Sequence, residues 1–196
     1  MSTSTHRVLI LGHSFVRRLF DFVHEQNLST FGLSQCVVYG VGVSGATVDK
    51  LQTDRTVHEK ISHIQPHIII LQIGGNCLCN NDIRPDQLAY KIFHFARHLH
   101  DTYGSHVYVC EIFPRPRPRG ISASLYESRR FAANKALHVL FISPELLHVW
   151  SHRRLFNSPL DLFLRDGCHL NPTGSRKFYR SVRLAIMHAC RQLSTQ

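Results

Sequence analysis

The sequence has little that would carry it into or across a membrane. Its polar start, Met1 to Arg7, leads into only four consecutive aliphatic residues, Val8 to Leu11, which are too few for the apolar core of a signal peptide. No apolar run approaches the roughly 18 residues that a membrane-spanning helix needs. The sequence therefore predicts an intracellular protein without a membrane span, located in the cytoplasm or, as the alternative, in the nucleus.

Motifs for metals and nucleotide cofactors are also missing. Most of the six cysteines fall in or beside apolar segments, where free thiols usually act as small core residues. Cys77 and Cys79 lie close together, but no second pair of ligands has the spacing of a zinc site. The loop from Gly40 to Thr47 holds three glycines without the spacing or the lysine of a nucleotide-binding loop. We therefore expect no metal and no other cofactor.

Acidic residues are few beside basic ones, with 13 Asp and Glu against 23 Lys and Arg and a net charge of +10. Most arginines are scattered as on a solvated helix surface, but three alternate with proline between Pro114 and Arg119. This alternation favours a stiff, extended loop that displays its side chains, and guanidinium groups bind phosphate. Arg115, Arg117 and Arg119 are therefore candidate contacts for phosphate or nucleic acid. The alternative, which we favour, is a substrate-entry loop or plain solvated charge.

The order of apolar and amphipathic segments predicts the fold class. Residues 1–196 have the length of a single domain. The predicted strands cover residues 8–11, 35–39, 67–73, 106–113 and 146–150, and the predicted helices cover 15–23, 48–63, 82–103, 125–141 and 172–193. Strands that alternate with helices in this way indicate an α/β fold, a flavodoxin-like three-layer α/β/α sandwich around a five-stranded parallel sheet. Ligands of such folds bind beyond the carboxyl ends of the strands.

Residues that could take part in catalysis or ligand binding follow four of these strands. Ser14 comes after the first, Gly45 after the second, Asn76 after the third, and the pair Asp166 and His169 after the fifth. Each has a simpler alternative role: a helix cap for the serine, a turn residue for the asparagine, an Asx-turn for the aspartate and a surface position for the histidine. Because parallel strands end at one edge of the sheet, we expect these residues to lie together.

In this order, the residues resemble the motifs of the SGNH hydrolase superfamily, the GDSL-type esterases and lipases, over nearly the whole chain. Ser14 matches the family's nucleophile, although His13 stands where the family usually has aspartate. The resemblance implies a catalytic triad of Ser14, His169 and Asp166. It also implies an oxyanion hole formed by the N–H groups of Ser14 and Gly45 and the side-chain amide of Asn76.

Elementary chemistry agrees with those roles. A serine hydroxyl needs a neighbouring base, which histidine can provide near neutral pH, and a carboxylate orients the imidazole and stabilises its cation. The sequence therefore predicts a serine esterase that acts on a small or medium acyl ester through an acyl-enzyme.

The alternative is a weakly active or inactive binding module of the same fold, with nucleic acid as its partner. The motive at the level of the family is that SGNH-like domains resemble modules in first-reading-frame proteins of some non-LTR retrotransposons. The oligomeric state is left open.

Overall fold

The computed structural model describes residues 5–28, 31–142, 147–153, 155–156 and 159–194. Its strands are β1 (His6–Gly12), β2 (Cys36–Gly42), β3 (Ile68–Gln72), β4 (His106–Cys110) and β5 (Leu147–Trp150). Its α-helices are α1 (Ser14–Glu25), α2 (Val48–Thr53), α3 (Arg55–Ile64), α4 (Pro85–Tyr103), α5 (Ala123–Leu140) and α6 (Pro172–Ser194). Short 3₁₀ helices cover Cys77–Cys79 and Pro159–Leu162.

The five strands form one sheet in the order β2-β1-β3-β4-β5. Every neighbouring pair is parallel, and the inner strand β1 pairs Val8 with Val38 of β2 and with Ile68 of β3. All five strands therefore finish at the same side of the sheet, which we call the carboxyl edge.

Helices cover both faces of the sheet. The sequence of β1 is apolar without interruption because its side chains pack against helices on both faces. Val8 and Ile10 pack in the core formed with α1 and α6. Leu9 and Leu11 pack in the second core, formed with α2, α3, α4 and α5. All four side chains are fully buried, as expected for a strand inside a parallel sheet. The predicted three-layer α/β/α sandwich with five parallel strands is confirmed.

Two predicted helices have different boundaries. The helix predicted over residues 48–63 is two helices, because Asp54 is extended (φ −76°, ψ 104°) and its carboxylate accepts a 3.2 Å hydrogen bond from the Val57 N–H as the cap of α3. The helix predicted from residue 82 begins at Pro85. The preceding Arg84 is extended (φ −74°, ψ 148°), since a residue before proline disfavours helical backbone.

Two strands also differ from the prediction. β2 continues through Gly40 and Gly42, which were predicted to lie in a loop, because α1 packs closely against it. A Cβ atom on Gly40 would lie 2.2 Å from the Phe20 ring. β4 ends before residue 113 because the Asn134 side chain binds both the N–H and the carbonyl of Ile112, at 2.9 and 3.2 Å. Residue 146 of the predicted fifth strand lies outside the described residues.

Among the helices that the structure describes, none is both long enough and apolar enough to pass through a bilayer.

Among the described residues three histidines are buried, His13, His106 and His152, and two of them have strongly lowered pKa values. His13 is 1% exposed and His152 is 7% exposed, and the Nδ1 atom of His152 lies 2.8 Å from the Ser181 hydroxyl. Burial is the main cause that lowers the pKa of both imidazoles to about 3, and for His13 the charges of Arg115 and His169 contribute to that shift. Both rings are therefore neutral in the folded protein at every pH near neutrality.

We expect the free energy of unfolding to fall when the pH is lowered from about 7 to about 5. The unfolded chain binds protons on both histidines below a pKa of about 6.5, whereas the folded chain does not until about pH 3. Each ring should therefore contribute on the order of 2 kcal/mol of pH dependence over this interval. Urea unfolding of His152→Asn should show that much less pH dependence than the wild type. The exposed His63→Asn variant is the control, and equal pH dependence in His152→Asn and wild type would contradict the account.

Candidate active site

Ser14 lies at the first residue of α1, directly beyond β1 at the carboxyl edge. The N-cap of α1 is His13, whose Nδ1 atom accepts a 3.4 Å hydrogen bond from the Phe15 N–H. An imidazole nitrogen accepts only when it is unprotonated, and the lowered pKa of His13, about 3, keeps it so. The capping role that was the alternative for Ser14 is therefore filled by His13, and the serine hydroxyl is left to other contacts.

The turn that presents Ser14 crosses closely over the end of β3. A Cβ atom on Gly12 would lie 2.1 Å from the Gln72 carbonyl oxygen, and the His13 N–H donates to that same oxygen at 3.3 Å. Glycine is therefore required here by this close approach. The contact holds the start of α1 over the middle of the sheet.

His169 is held by a tight turn that begins at Asp166. One carboxylate oxygen, Oδ1, accepts hydrogen bonds of 2.9 Å from the N–H groups of both Cys168 and His169. The other, Oδ2, lies 2.7 Å from the His169 Nδ1 atom. Asp166 thus forms the Asx-turn that was its alternative role and contacts the imidazole at the same time.

The second imidazole nitrogen completes a continuous chain of hydrogen bonds. The Nε2 atom of His169 lies 3.2 Å from the Ser14 Oγ atom. Burial opposes ionisation of Asp166, but the hydrogen bonds from the His169 N–H, the His169 ring and the Cys168 N–H outweigh it and lower its pKa to about 2. An ionised carboxylate only accepts hydrogen bonds, so Nδ1 carries a proton, and in the neutral ring the lone pair is then on Nε2, the atom next to the serine.

Asn76 follows β3, and two opposite contacts fix its amide. Its Nδ2 group donates to the Ala46 carbonyl at 2.9 Å, and its Oδ1 atom accepts from the Arg115 guanidinium at 2.9 Å. A guanidinium cannot accept and a carbonyl cannot donate, so both partners require the same orientation of the amide. One amide N–H is left to face a ligand.

Gly45 lies in the loop between β2 and α2 with a left-handed backbone, φ +70°. A Cβ atom added to it would meet nothing within 4 Å, so the backbone angle, rather than crowding, favours glycine here. Within the described ranges, the N–H groups of Ser14 and Gly45 donate to no other protein atom. Both are therefore available to a ligand.

Four of the five predicted catalytic and oxyanion residues line one cleft of about 220 Å³, and Asp166 stands behind His169. The cleft is lined by Ser14, Arg17, Arg18, Ser44, Gly45, Asn76, Arg115, Arg119, Cys168 and His169. A neighbouring cavity of about 560 Å³ also contacts Asn76 and has the apolar side chains of Val48, Cys77 and Ile83 in its wall. The structure thus places a serine, a histidine and two N–H groups without protein partners beside a larger cavity with an apolar wall.

The proline–arginine loop does not display three guanidiniums, and that prediction is wrong for Arg115. This residue is 4% exposed, and its guanidinium carbon lies 6.0 Å from the centre of the Phe15 ring and 5.9 Å from that of Tyr126. The two rings and Asn76 draw the side chain inward. Alternation of proline and arginine contains no information about which arginine turns inward.

The other two arginines of the loop are exposed. Arg117 joins this loop to the histidine turn, because its N–H donates to the Gly167 carbonyl at 3.0 Å and its Nη1 group to the Arg165 carbonyl at 2.9 Å. Arg119 reaches the cleft. Contact of Arg117 and Arg119 with nucleic acid stays a prediction.

In the part of the chain that the structure describes, no three His, Cys, Asp or Glu side chains are arranged to hold a metal ion.

Neither a protein-family model nor a curated protein matches the chain, but solved structures share its fold. A GDSL-like lipase from Bacteroides thetaiotaomicron aligns with a TM-score of 0.71 over 96% of this chain and 93% of that chain, at 15% identity. A lipase/acylhydrolase from Enterococcus faecalis aligns with a TM-score of 0.65 over 93% and 95%, at 15% identity. The esterase EstA from Pseudoalteromonas sp. gives 0.63 over 92% and 98%, at 14% identity. The chain therefore has the fold of the GDSL-type, or SGNH, lipases and esterases, as its motifs predicted.

Proposed function

We propose that the protein is a serine esterase that hydrolyses a carboxylic ester through an acyl-enzyme. The observation that carries the proposal is the hydrogen-bonded chain from Asp166 through His169 to Ser14, with steps of 2.7 and 3.2 Å. The shared fold with lipases and esterases supports ester hydrolysis in general. The chain of three side chains supports the finer statement that Ser14 is the nucleophile.

In the first half of the reaction, the Ser14 oxygen attacks the ester carbonyl while the Nε2 atom of His169 takes its proton. The tetrahedral intermediate collapses as His169 returns that proton to the leaving alcohol. A water molecule then attacks the acyl-serine, with His169 again accepting and returning one proton. Asp166, ionised because its pKa is about 2, holds the ring in the required tautomer and stabilises its cation.

Three donors would stabilise the oxyanion of each intermediate: the N–H of Ser14, the N–H of Gly45 and the remaining amide N–H of Asn76. The support for this assignment is that all three residues line the same cleft. Donors that are already oriented need no rearrangement in the transition state, so each is worth several kcal/mol. Arg115 is a positioning residue in this scheme, because it acts by holding the Asn76 oxygen away from the substrate.

Ser14→Ala should abolish labelling by a fluorophosphonate probe. It should also lower kcat for p-nitrophenyl acetate on the order of 10⁴-fold or more, because no other side chain replaces an acylated serine. Ser44→Ala is a matched control, since Ser44 lines the same cleft without contacting His169. Equal labelling and turnover in wild type and Ser14→Ala would overturn the proposal, and absence of both in the wild type would favour the binding-module alternative.

Activity should be lost as the pH is lowered below neutrality, because His169 accepts the serine proton only when it is neutral. Asp166 should add no step near neutral pH, since its carboxyl has a pKa of about 2 and is ionised there. Asp166→Asn removes the charge and allows the wrong tautomer, so kcat should fall on the order of 10⁴-fold. Initial rates across the pH range measure both effects. A flat wild-type profile, or more than a tenth of the activity in Asp166→Asn, would contradict the assignment.

Asn76→Ala should lower kcat on the order of 10²- to 10³-fold, the usual effect of losing one oxyanion donor. Arg115→Met should have a smaller effect, about tenfold, because the amide can still find its orientation for part of the time. If Arg115 acts only through Asn76, the double variant should be no slower than Asn76→Ala. Additive losses in this double-mutant cycle would show that Arg115 acts by another route.

A further inference from the structure

The cleft around Ser14 is strongly basic, which ester hydrolysis alone does not require. Four of its ten lining residues are arginines and none is acidic. Arg17 and Arg18 follow Ser14 by three and four residues on α1, so they share its side of the helix. Arg119 comes to the same cleft from the loop after β4. The positive charges therefore come from two separate elements of the fold and meet at one place.

These charges are not neutralised by neighbouring carboxylates. Within the described ranges, none of the four arginines forms an ion pair. The Asp166 carboxylate behind His169 is already engaged by that imidazole and two N–H groups. A group of like charges without partners destabilises the protein unless something else offsets it. A bound anion would do so.

Arg18 also has unused hydrogen-bonding capacity at this position. Its Nε atom is buried and has no partner among the described residues, which is costly for a charged donor. The Nε atom of the buried Arg115 is likewise without a partner. Because Arg18 lines the cleft, an anion there would give its guanidinium a partner of opposite charge, which the described residues do not provide.

The dimensions of the cleft favour a small anion over a polymer. Its volume, about 220 Å³, fits a carboxylate or a phosphate beside the reacting ester, and the larger neighbouring cavity remains for the rest of the molecule. The N-terminal end of α1 adds a favourable field for negative charge at the same point. The paired donors of a guanidinium match both anions.

On the basis of the proposed esterase function, we propose that the substrate is a small ester that carries a carboxylate or phosphate close to the scissile bond. Arg18 and Arg119 would bind this anion and determine the specificity of the site. Arg17, at the exposed side of the same helix turn, would contribute attraction at longer range.

Acetyl esters of phenols that carry a charged or a neutral para substituent test the proposal. The anionic esters para-acetoxybenzoate and para-acetoxyphenyl phosphate should each be hydrolysed with a kcat/KM about tenfold or more above the value for neutral para-acetoxybenzamide. This is the effect expected of one charge-assisted hydrogen bond. Preference for either anion alone also supports the proposal and identifies the anion. The preference should shrink in about 1 M salt, which screens exposed charges.

Arginine variants test whether Arg18 and Arg119 cause the preference for anionic esters. In Arg18→Gln/Arg119→Gln, the ratio of anionic to neutral kcat/KM should fall towards one, and this ratio is unaffected by any loss of folded protein. Arg97→Gln removes an exposed arginine of α4 and should keep the wild-type ratio. Inorganic phosphate should inhibit the wild type competitively and inhibit the double variant far less.

A wild-type ratio of one or below would overturn the anionic-substrate proposal. So would a wild-type ratio that survives in the double variant, or inhibition by a single-stranded oligonucleotide without inhibition by phosphate. If Ser14 reacts with a neutral fluorophosphonate but the esters are not distinguished, only this inference fails. If Ser14 neither reacts nor turns over any ester, the esterase function itself fails.

Discussion

The hydrogen bond between His169 and Ser14 is the contact on which the rest of the site depends. It joins residues 155 positions apart in the sequence at a distance of 3.2 Å. The contact requires β1 to lie inside the sheet, between β2 and β3, and it requires the loop after the edge strand β5 to return across the carboxyl edge. The Asp166 turn and the Arg117 hydrogen bonds hold that loop. Much of the loop structure at this edge therefore serves to keep one imidazole beside one hydroxyl.

Electrostatics around this contact depend on which groups remain uncharged. His13 caps α1 as a neutral ring, and its pKa of about 3 results from burial together with the charges of Arg115 and His169. If the His13 ring were protonated, its Nδ1–H group would face the Phe15 N–H, which is also a donor. The added positive charge would also be unfavourable in an already positive site. The carboxylate of Asp166 stays ionised, so His169 is the residue of the triad whose charge changes when the oxyanion of the proposed reaction forms and collapses.

The fold was predictable from the sequence because each buried strand is apolar on both faces and ends near a glycine or a polar turn. Ser14, Gly45, Asn76, Asp166 and His169 were predictable as a group because a parallel sheet brings strand ends to one edge. The orientation of Arg115 was not, since it depends on Phe15, Tyr126 and Asn76, which are distant in sequence. The role of His13 as a cap was also missed, because the capping preference of serine made Ser14 the obvious choice. A neutral histidine is recognisable as a cap only once its burial is known.

The most direct test of the central claim is to trap the covalent intermediate itself. Rapid mixing with an acetyl ester, acid quenching within the first turnover and peptide mass analysis should show one acetyl group on the peptide that contains Ser14. The adduct should decay at the rate of steady-state turnover. An acetyl group on any other residue, or turnover without any adduct on Ser14 at the earliest times, would contradict the account.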